Sequence, residues 1–494
     1  METTIKNDFF KPRMRALAVA IFTLCATVGS SSASEAVPRG LDRVAHIIVL
    51  MQENHSFDNY FGALPYVRGG LFHSATACDP GDHRCVDGLT CQLSAASDLT
   101  CSNWNFDGEG HRVTVFHLNQ YCSNNPAHEW VAAHRDANFE DPNSATVLGD
   151  GFVRVNREDR THTAMGFYTQ ADLPYYYALA ETFAISDHHF SSVIGPTLPN
   201  RLYSMAATSF GHLLTNQVDD NPGLNSYRPI SGSIFDLLDR HHVGWSEYYQ
   251  LPDDRMTPPR PYGLLFRATG SPHFHPLAEF FHEVAAGRLQ PVVFIDLRQH
   301  EHPPLDIRAG QAEVSKIIAA LRNSPNWKDS ILLLTYDENG GFYDHLAPPS
   351  APTPDGIPPG ACADRSDPPH SMVSGQGANC GRSAGAQSTL CGLARPREFC
   401  ANFTSEGFRV PLVAISPFAK AHYISHRASD HTSILTLIEN RFLDGDRLTA
   451  RDAAADNLQD LFDFDHPPSI AALLPAPPPA ARVDDPGCEK KAER

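Results

Sequence analysis

Two short stretches of the chain place acids and amides directly after an apolar run. In "HIIVLMQENHSFDNYFG" the run ending at Met51 gives way to Gln52, Glu53, Asn54, His55 and Ser56. In "LLLTYDENGGFYDHLAPP" a similar run delivers Asp337, Glu338 and Asn339, turns at Gly340 and Gly341, and continues to Asp344 and His345. Adjacent carboxylates repel each other strongly at low dielectric, and a bound cation resolves the repulsion. Glu53 and Asn54 from one run, with Asp337 and Glu338 from the other, would make an oxygen-rich site for a divalent metal. Such ligands favour Ca, Mg or Mn, and an added histidine admits Zn or Fe. Taken singly, either acidic pair reads better as a helix cap or a solvated loop than as a metal site. The occurrence of two such run ends favours the metal.

A third stretch, "VIGPTLPNRLYSMAATS", puts Pro199 in the first turn of a helix running through Arg201 to Ala207. Thr197 then stands at the helix mouth, where free amides and the helix dipole stabilise an anion. Beside a metal, a hydroxyl there can lose its proton and attack phosphorus; the alternative is that Thr197 merely caps the helix. Histidines for proton transfer and phosphate contact are offered by "PAHEWVAAH" (His128, His134), "RQHEHPPLDI" (His300, His302), "YDH" (His345) and "ASDHTSIL" (His431). Among 25 histidines, any single one is commonly structural. His302 and His345 are preferred because each trails a buried run.

These groups need elements that aim them at one place. Residues 44–51, 291–296, 331–336 and 411–416 read as buried strands, and helical periodicity covers 310–323 and 433–442. The alternation predicts an α/β fold with a mostly parallel central sheet flanked by helices. The carboxyl ends of such strands open onto the crevice where α/β proteins bind ligands. A catalytic domain over 40–465 is expected, with insertions at about 73–125 and 348–407 and a proline- and alanine-rich tail over 466–494.

The chain has 494 residues, 42% hydrophobic, with 39 prolines and 33 glycines that imply long irregular loops. Residues 1–34 read as a signal peptide: Lys6, Lys11, Arg13 and Arg15, an apolar run, then small residues. No later apolar stretch has the length of a membrane span, so a secreted or periplasmic protein is expected. Loss of the leader removes Cys25 and leaves ten cysteines: five from Cys78 to Cys122, four from Cys362 to Cys400, and Cys488. An even number in an exported chain predicts disulfides; no C-x2-C spacing supports zinc instead. If all ten pair, the first block of five must send at least one bridge outside itself. The leader has four bases against Glu2 and Asp8, so its removal takes the charge from −18 to −20. Such a surface argues against nucleic acid and anionic membranes as partners.

"QENHSFDNYFG", "GPTLPNRLY", "EHPPLDI", "TYDENGGFYDH", "GFRVPLVAISPF" and "DHTSILTLIENRF" occur in the order seen in the bacterial phosphoesterase family of phospholipases C and acid phosphatases, which the chain resembles from about residue 44 to 442. The resemblance implies an alkaline phosphatase-like fold, a divalent metal, and a hydroxyl nucleophile that forms a covalent phospho-enzyme. It assigns Glu53, Asn54, Asp337 and Glu338 to the metal, with Asn54 also at the phosphate, and Thr197 to the nucleophile. His128 and His302 become phosphate-contacting or acid/base groups, and His345 a catalytic one.

The expected function is that of a secreted, metal-dependent phosphoric ester hydrolase of phospholipase C type, acting through a phospho-threonine. An acid phosphatase cleaving phosphomonoesters would use the same groups. An apolar groove, from Phe72, Leu118 or Tyr175 to Tyr177, would distinguish the first from a small polar cup. An inactive secreted binding protein would require a lost catalytic group, and all are present. A sulfatase would need a C-x-P-x-R context, which is absent. The expected partner is a phospholipid or small phosphoester, with any membrane contact peripheral and no protein partner.

Overall fold

Every residue from Ile47 to Gln52 is buried, as a strand covered by helices on both faces requires. In the computed structural model, which describes residues 40–94, 98–215, 227–250, 261–267, 271–297, 301–362, 386–390, 401–466, 474 and 476, this run is a central strand of an eight-stranded sheet. The strands are β1 (His46–Gln52), β2 (Ala184–Ser186), β3 (Trp245–Tyr249), β4 (Phe274–Pro276), β5 (Val292–Asp296), β6 (Ser330–Tyr336), β7 (Leu412–Ile415) and β8 (Tyr423–Ser425). Their spatial order is β4-β3-β5-β1-β6-β7-β2-β8. All neighbours are parallel except β6 with β7 and β7 with β2, so β7 alone in this sheet runs backwards. The expected leader, His300, Cys380, Cys391, Cys400, Cys488 and nearly all of the tail lie outside the described residues.

The helices that concern the site are α1 (Phe57–Phe61), α2 (Trp130–Ala137), α3 (Pro174–Thr182), α4 (Thr197–Ala206), α5 (Ile307–Arg322) and α6 (His431–Phe442). Strand alternation sorts the core into two layers. Ile48, Leu50, Val293, Ile295, Leu332 and Leu334 pack with α3 and α5 on one face. Ile47, Val49, Val292, Phe294, Ile331 and Leu333 pack with α4 and α6 on the other. Helix α5 begins three residues before the periodicity does, because Asp306 accepts a hydrogen bond from the Arg308 amide and caps it. Helix α6 begins at His431, where Asp430 and Ser433 form a capping box.

The sheet is mostly parallel, as expected, and one of the four apolar runs ends away from the crevice. β7 is antiparallel, so Ser416 lies at the opposite edge, where its hydroxyl donates to the carbonyl of Ser330 at the start of β6 (2.8 Å). An apolar run encodes burial and carries no sign of direction. Bridges Cys78–Cys85 and Cys91–Cys101 pin the first insertion. Cys122 and Cys362 are disulfide-bonded too. With the other four cysteines of its block paired among themselves, Cys122 must bond outside that block, as the count requires. No helix among the described residues is long and apolar enough to cross a membrane.

Candidate active site

Gln52 pairs in register with Tyr336, so β1 and β6 stop level and release Glu53–Asn54 and Asp337–Glu338 side by side. The two ends are locked backbone to side chain. The amides of Asn54 (3.2 Å) and Glu338 (2.8 Å) both donate to Oδ1 of Asp337, and the Gly340 amide donates to Oε2 of Glu338 (2.7 Å). Asn54 and Gly340 both have positive φ, +68° and +63°. A Cβ on Gly340 would lie 2.3 Å from the Asn54 carbonyl oxygen, so only glycine permits this approach.

All four expected metal ligands are buried. Burial raises the carboxyls of Asp337 and Glu338, and the charge of Asp337 raises Glu338 further. Oδ1 of Asn54 and Oε1 of Glu338 are buried without a hydrogen-bond partner among the described residues. Two orphaned oxygens beside crowded carboxylates fit a hard divalent cation.

Helix α4 supplies the hydroxyl. Pro196 is its N-cap and Thr197 its first residue, so Thr197 stands one position past the cap. Asn200 fixes the approach to Thr197: its amide donates to the carbonyls of Val193, Gly195 and Pro196 (3.3, 3.0 and 3.1 Å). One turn after Thr197, the buried Arg201 reaches three strand ends. Its guanidinium contacts Glu53 (3.3 Å), Asp296 (3.3 Å) and Asp337 (3.4 Å) and donates to the carbonyls of Met51 and Gln52. It lies over the ring of Tyr262, whose hydroxyl donates to Glu53 (3.3 Å). Within this cluster the carboxyl groups of Glu53, Asp296 and Asp337 share a single guanidinium, and Glu338 adds a fourth beside Asp337. The surplus negative charge is a second reason that the site fits a cation.

A cavity of about 630 Å³ opens here, lined among others by Glu53, His128, Thr197, Tyr262 and His302. The rings of His128 and His302 meet edge to face at 5.7 Å. Nδ1 of His128 donates to the Pro126 carbonyl (2.7 Å), which leaves Nε2 to accept from the Asn54 amide (3.0 Å), 3.9 Å from Glu338. Burial and the neighbouring His302 lower His128 to about 4, so it stands neutral with a lone pair facing the ligand pair. Nδ1 of His302 bonds the Pro303 carbonyl (2.6 Å).

The structure thus brings Thr197, His128, His302, Glu53, Asn54, Asp337 and Glu338 together. It does not bring His345, which does not line the cavity. Nδ1 of His345 bonds Asp58 (2.7 Å) and Nε2 bonds Asp87 (3.0 Å), within a network completed by Asp344 and Arg409. Although burial alone would lower it, the facing carboxylates raise His345 to about 10, which makes it a fixed cation. His431 lies beneath Asp337, donating to its carbonyl (2.7 Å), and His134 is tied to the Trp130 carbonyl. Phe72, Leu118 and Tyr175 to Tyr177 are packed in the core, so they form no groove. Arg201 and Tyr262 were not among the expected site residues. The i, i+4 spacing of Arg201 from Thr197 was the available signal, since it puts both on one helix face.

A sequence profile of the Phosphoesterase family matches residues 44–443. Phospholipase C A of Mycobacterium tuberculosis is 31% identical over 467 residues, 87% of this chain and 79% of that one. Non-specific phospholipase C4 of Arabidopsis thaliana is 27% identical over 451 residues, 85% of this chain and 72% of that one. Among solved structures, murine ectonucleotide pyrophosphatase / phosphodiesterase 5 aligns with 59% of this chain and 94% of that one at 12% identity and a TM-score of 0.32, too remote to inform the site. The match across the site-bearing segments settles the family: the chain belongs to the Phosphoesterase family and is a hydrolase of phosphoric ester bonds.

Proposed function

We propose that the protein is an exported, metal-dependent phospholipase C that works through a phospho-threonine. The observation that carries this reading is that Thr197, at the N-terminus of α4, shares one cavity with Glu53, His128 and His302, next to strand ends whose buried oxygens lack a hydrogen-bond partner among the described residues. Glu53, Asn54, Asp337 and Glu338 would hold the divalent ion, which supplies Lewis-acid polarisation of the phosphoryl oxygens. Thr197 attacks phosphorus in line, with the α4 amides stabilising the developing charge. Asn54 and His128 contact the phosphoryl group, and the neutral His128 accepts a proton. His302 protonates the departing diacylglycerol oxygen. Water then releases the phosphorylated head group from Thr197. The phospholipase names of the relatives support the substrate class, and the basic, apolar, then small-residue leader supports export.

The test is product analysis with phosphatidylcholine and, separately, a simple phosphomonoester, before and after chelation. Diacylglycerol and phosphocholine are expected, lost on chelation and reduced by about 10⁴-fold or more in Thr197→Ala. Phosphate from the monoester alone would make the protein a phosphatase. Full activity of Thr197→Ala would remove the nucleophile assignment.

A further inference from the structure

The loop that brings His302 to the cavity is anchored by its neighbour, which points into the core. Glu301 is fully buried, and its backbone takes a positive φ of +71°, unfavourable for a residue with a Cβ. Oε2 accepts from the hydroxyls of Tyr60 (2.7 Å) and Tyr336 (2.7 Å), and Oε1 accepts from the hydroxyl of Tyr176 and the amide of Gln52 (3.3 Å). The Glu301 carbonyl also bonds Nε2 of His55 (3.0 Å). Four donors saturate a buried carboxylate, which is how such a group is tolerated.

The identity of the donors gives the cluster its meaning. Gln52 and Tyr336 are the last residues of β1 and β6 and are paired in register. Each immediately precedes a site carboxylate, Glu53 or Asp337. Tyr60 and Tyr176 come from α1 and α3. Helix α5 makes room: a Cβ on Gly310 would stand 2.1 Å from Cγ of Glu301. A glycine inside a sixteen-residue helix costs about 1 kcal/mol relative to alanine, and the carboxylate's seat is what it permits.

We infer that Glu301 is a positioning residue for His302: its carboxylate clamps the His302 loop to the two strand ends that carry the site's acids. The imidazole is thereby held at a fixed place relative to those acids. The inference rests on the reading that His302 acts in the cavity.

A double-mutant cycle tests it, with the full chain, a divalent ion and a chromogenic phosphocholine ester as substrate. Glu301→Ala is expected to lower kcat by about 100-fold while KM stays within about threefold, since misplacing a group by about 1 Å has that effect. Glu301→Gln, which keeps the shape and an acceptor oxygen for two of the four donors, restores kcat to within about tenfold of wild type. In a His302→Ala background, Glu301→Ala changes the rate by less than about threefold, because the two residues act as a unit. Losses that multiply in the double variant overturn the inference and leave the reading of His302 intact. An unaffected His302→Ala overturns that reading, and the inference with it. Should Glu301→Ala not fold, Tyr176→Phe takes its place. A loss of about threefold or more is expected, absent without His302; a loss that persists there overturns the clamp.

Discussion

Arg201 and Gly340 show how much of the site depends on single residues. The guanidinium of Arg201 holds three carboxylates on three strands and two backbone carbonyls. Removing one partner of a buried ionic cluster leaves charges uncompensated, at about 3–5 kcal/mol. Arg201→Met should therefore lower the unfolding free energy by about that amount in urea titrations. Arg201→Lys should recover only part of it, because an ammonium cannot span the same acceptors. Gly340→Ala acts differently, placing a methyl group 2.3 Å from the Asn54 carbonyl. It should displace Asn54 and Glu338 together and weaken divalent-ion affinity by at least about tenfold, measured by calorimetry. The meeting of Glu53 and Asn54 with Asp337 and Glu338 was legible in the sequence because acids and amides directly after an apolar run are unusual. Arg201 was not: a charged residue within a helix reads as solvated surface, and its partners lie about 95 to 150 residues away.

At the scale of elements, the reversed β7 explains where Arg409 stands. Because β7 begins at the edge where β6 ends, the segment leading into it arrives beside the crevice. There Arg409 bonds Asp344 (2.8 Å) and Asp58 (3.0 Å) and donates to the carbonyls of Asp87 (2.6 Å) and Asp187 (2.8 Å). His345 joins Asp58 to Asp87, two residues past the Cys78–Cys85 bridge, so the network ties the first insertion to the sheet. The long runs of β1, β5 and β6 were legible from their length and continuous burial. The direction of β7 was not, and β2, β4 and β8, three residues each, are too short to leave a pattern. The raised His345 sets a pH dependence. With a folded value of about 10 against 6.5, its stabilisation is complete below pH 6.5 and is lost as pH rises toward 10. Relative to His345→Gln, the wild type should therefore be more stable at pH 6 by an amount on the order of a few kcal/mol, with the difference shrinking steadily at alkaline pH. Denaturation series at pH 6, 8 and 10 would show it, and a difference independent of pH would refute the ion-pair role.

For the whole molecule, the surplus of buried carboxylate makes cation binding a matter of stability as well as chemistry. A ligand that binds the folded chain alone stabilises it by about 2.7 kcal/mol at a hundredfold excess over Kd. Chelation should therefore lower the melting temperature by a few degrees. Thr197→Ala, which removes a hydroxyl and no ligand carboxylate, should keep that shift while losing activity. Glu338→Gln separates the two effects by sign. Burial and the adjacent Asp337 raise the Glu338 carboxyl, so keeping it ionised at neutral pH costs folding energy when no cation offsets it. An uncharged isostere escapes that cost. In chelator, Glu338→Gln should melt at or above wild type; with the divalent ion added, wild type should rise and the variant should not. If the variant melts below wild type in chelator and still responds fully to the ion, Glu338 is not a ligand, and the cation is held elsewhere in the cluster.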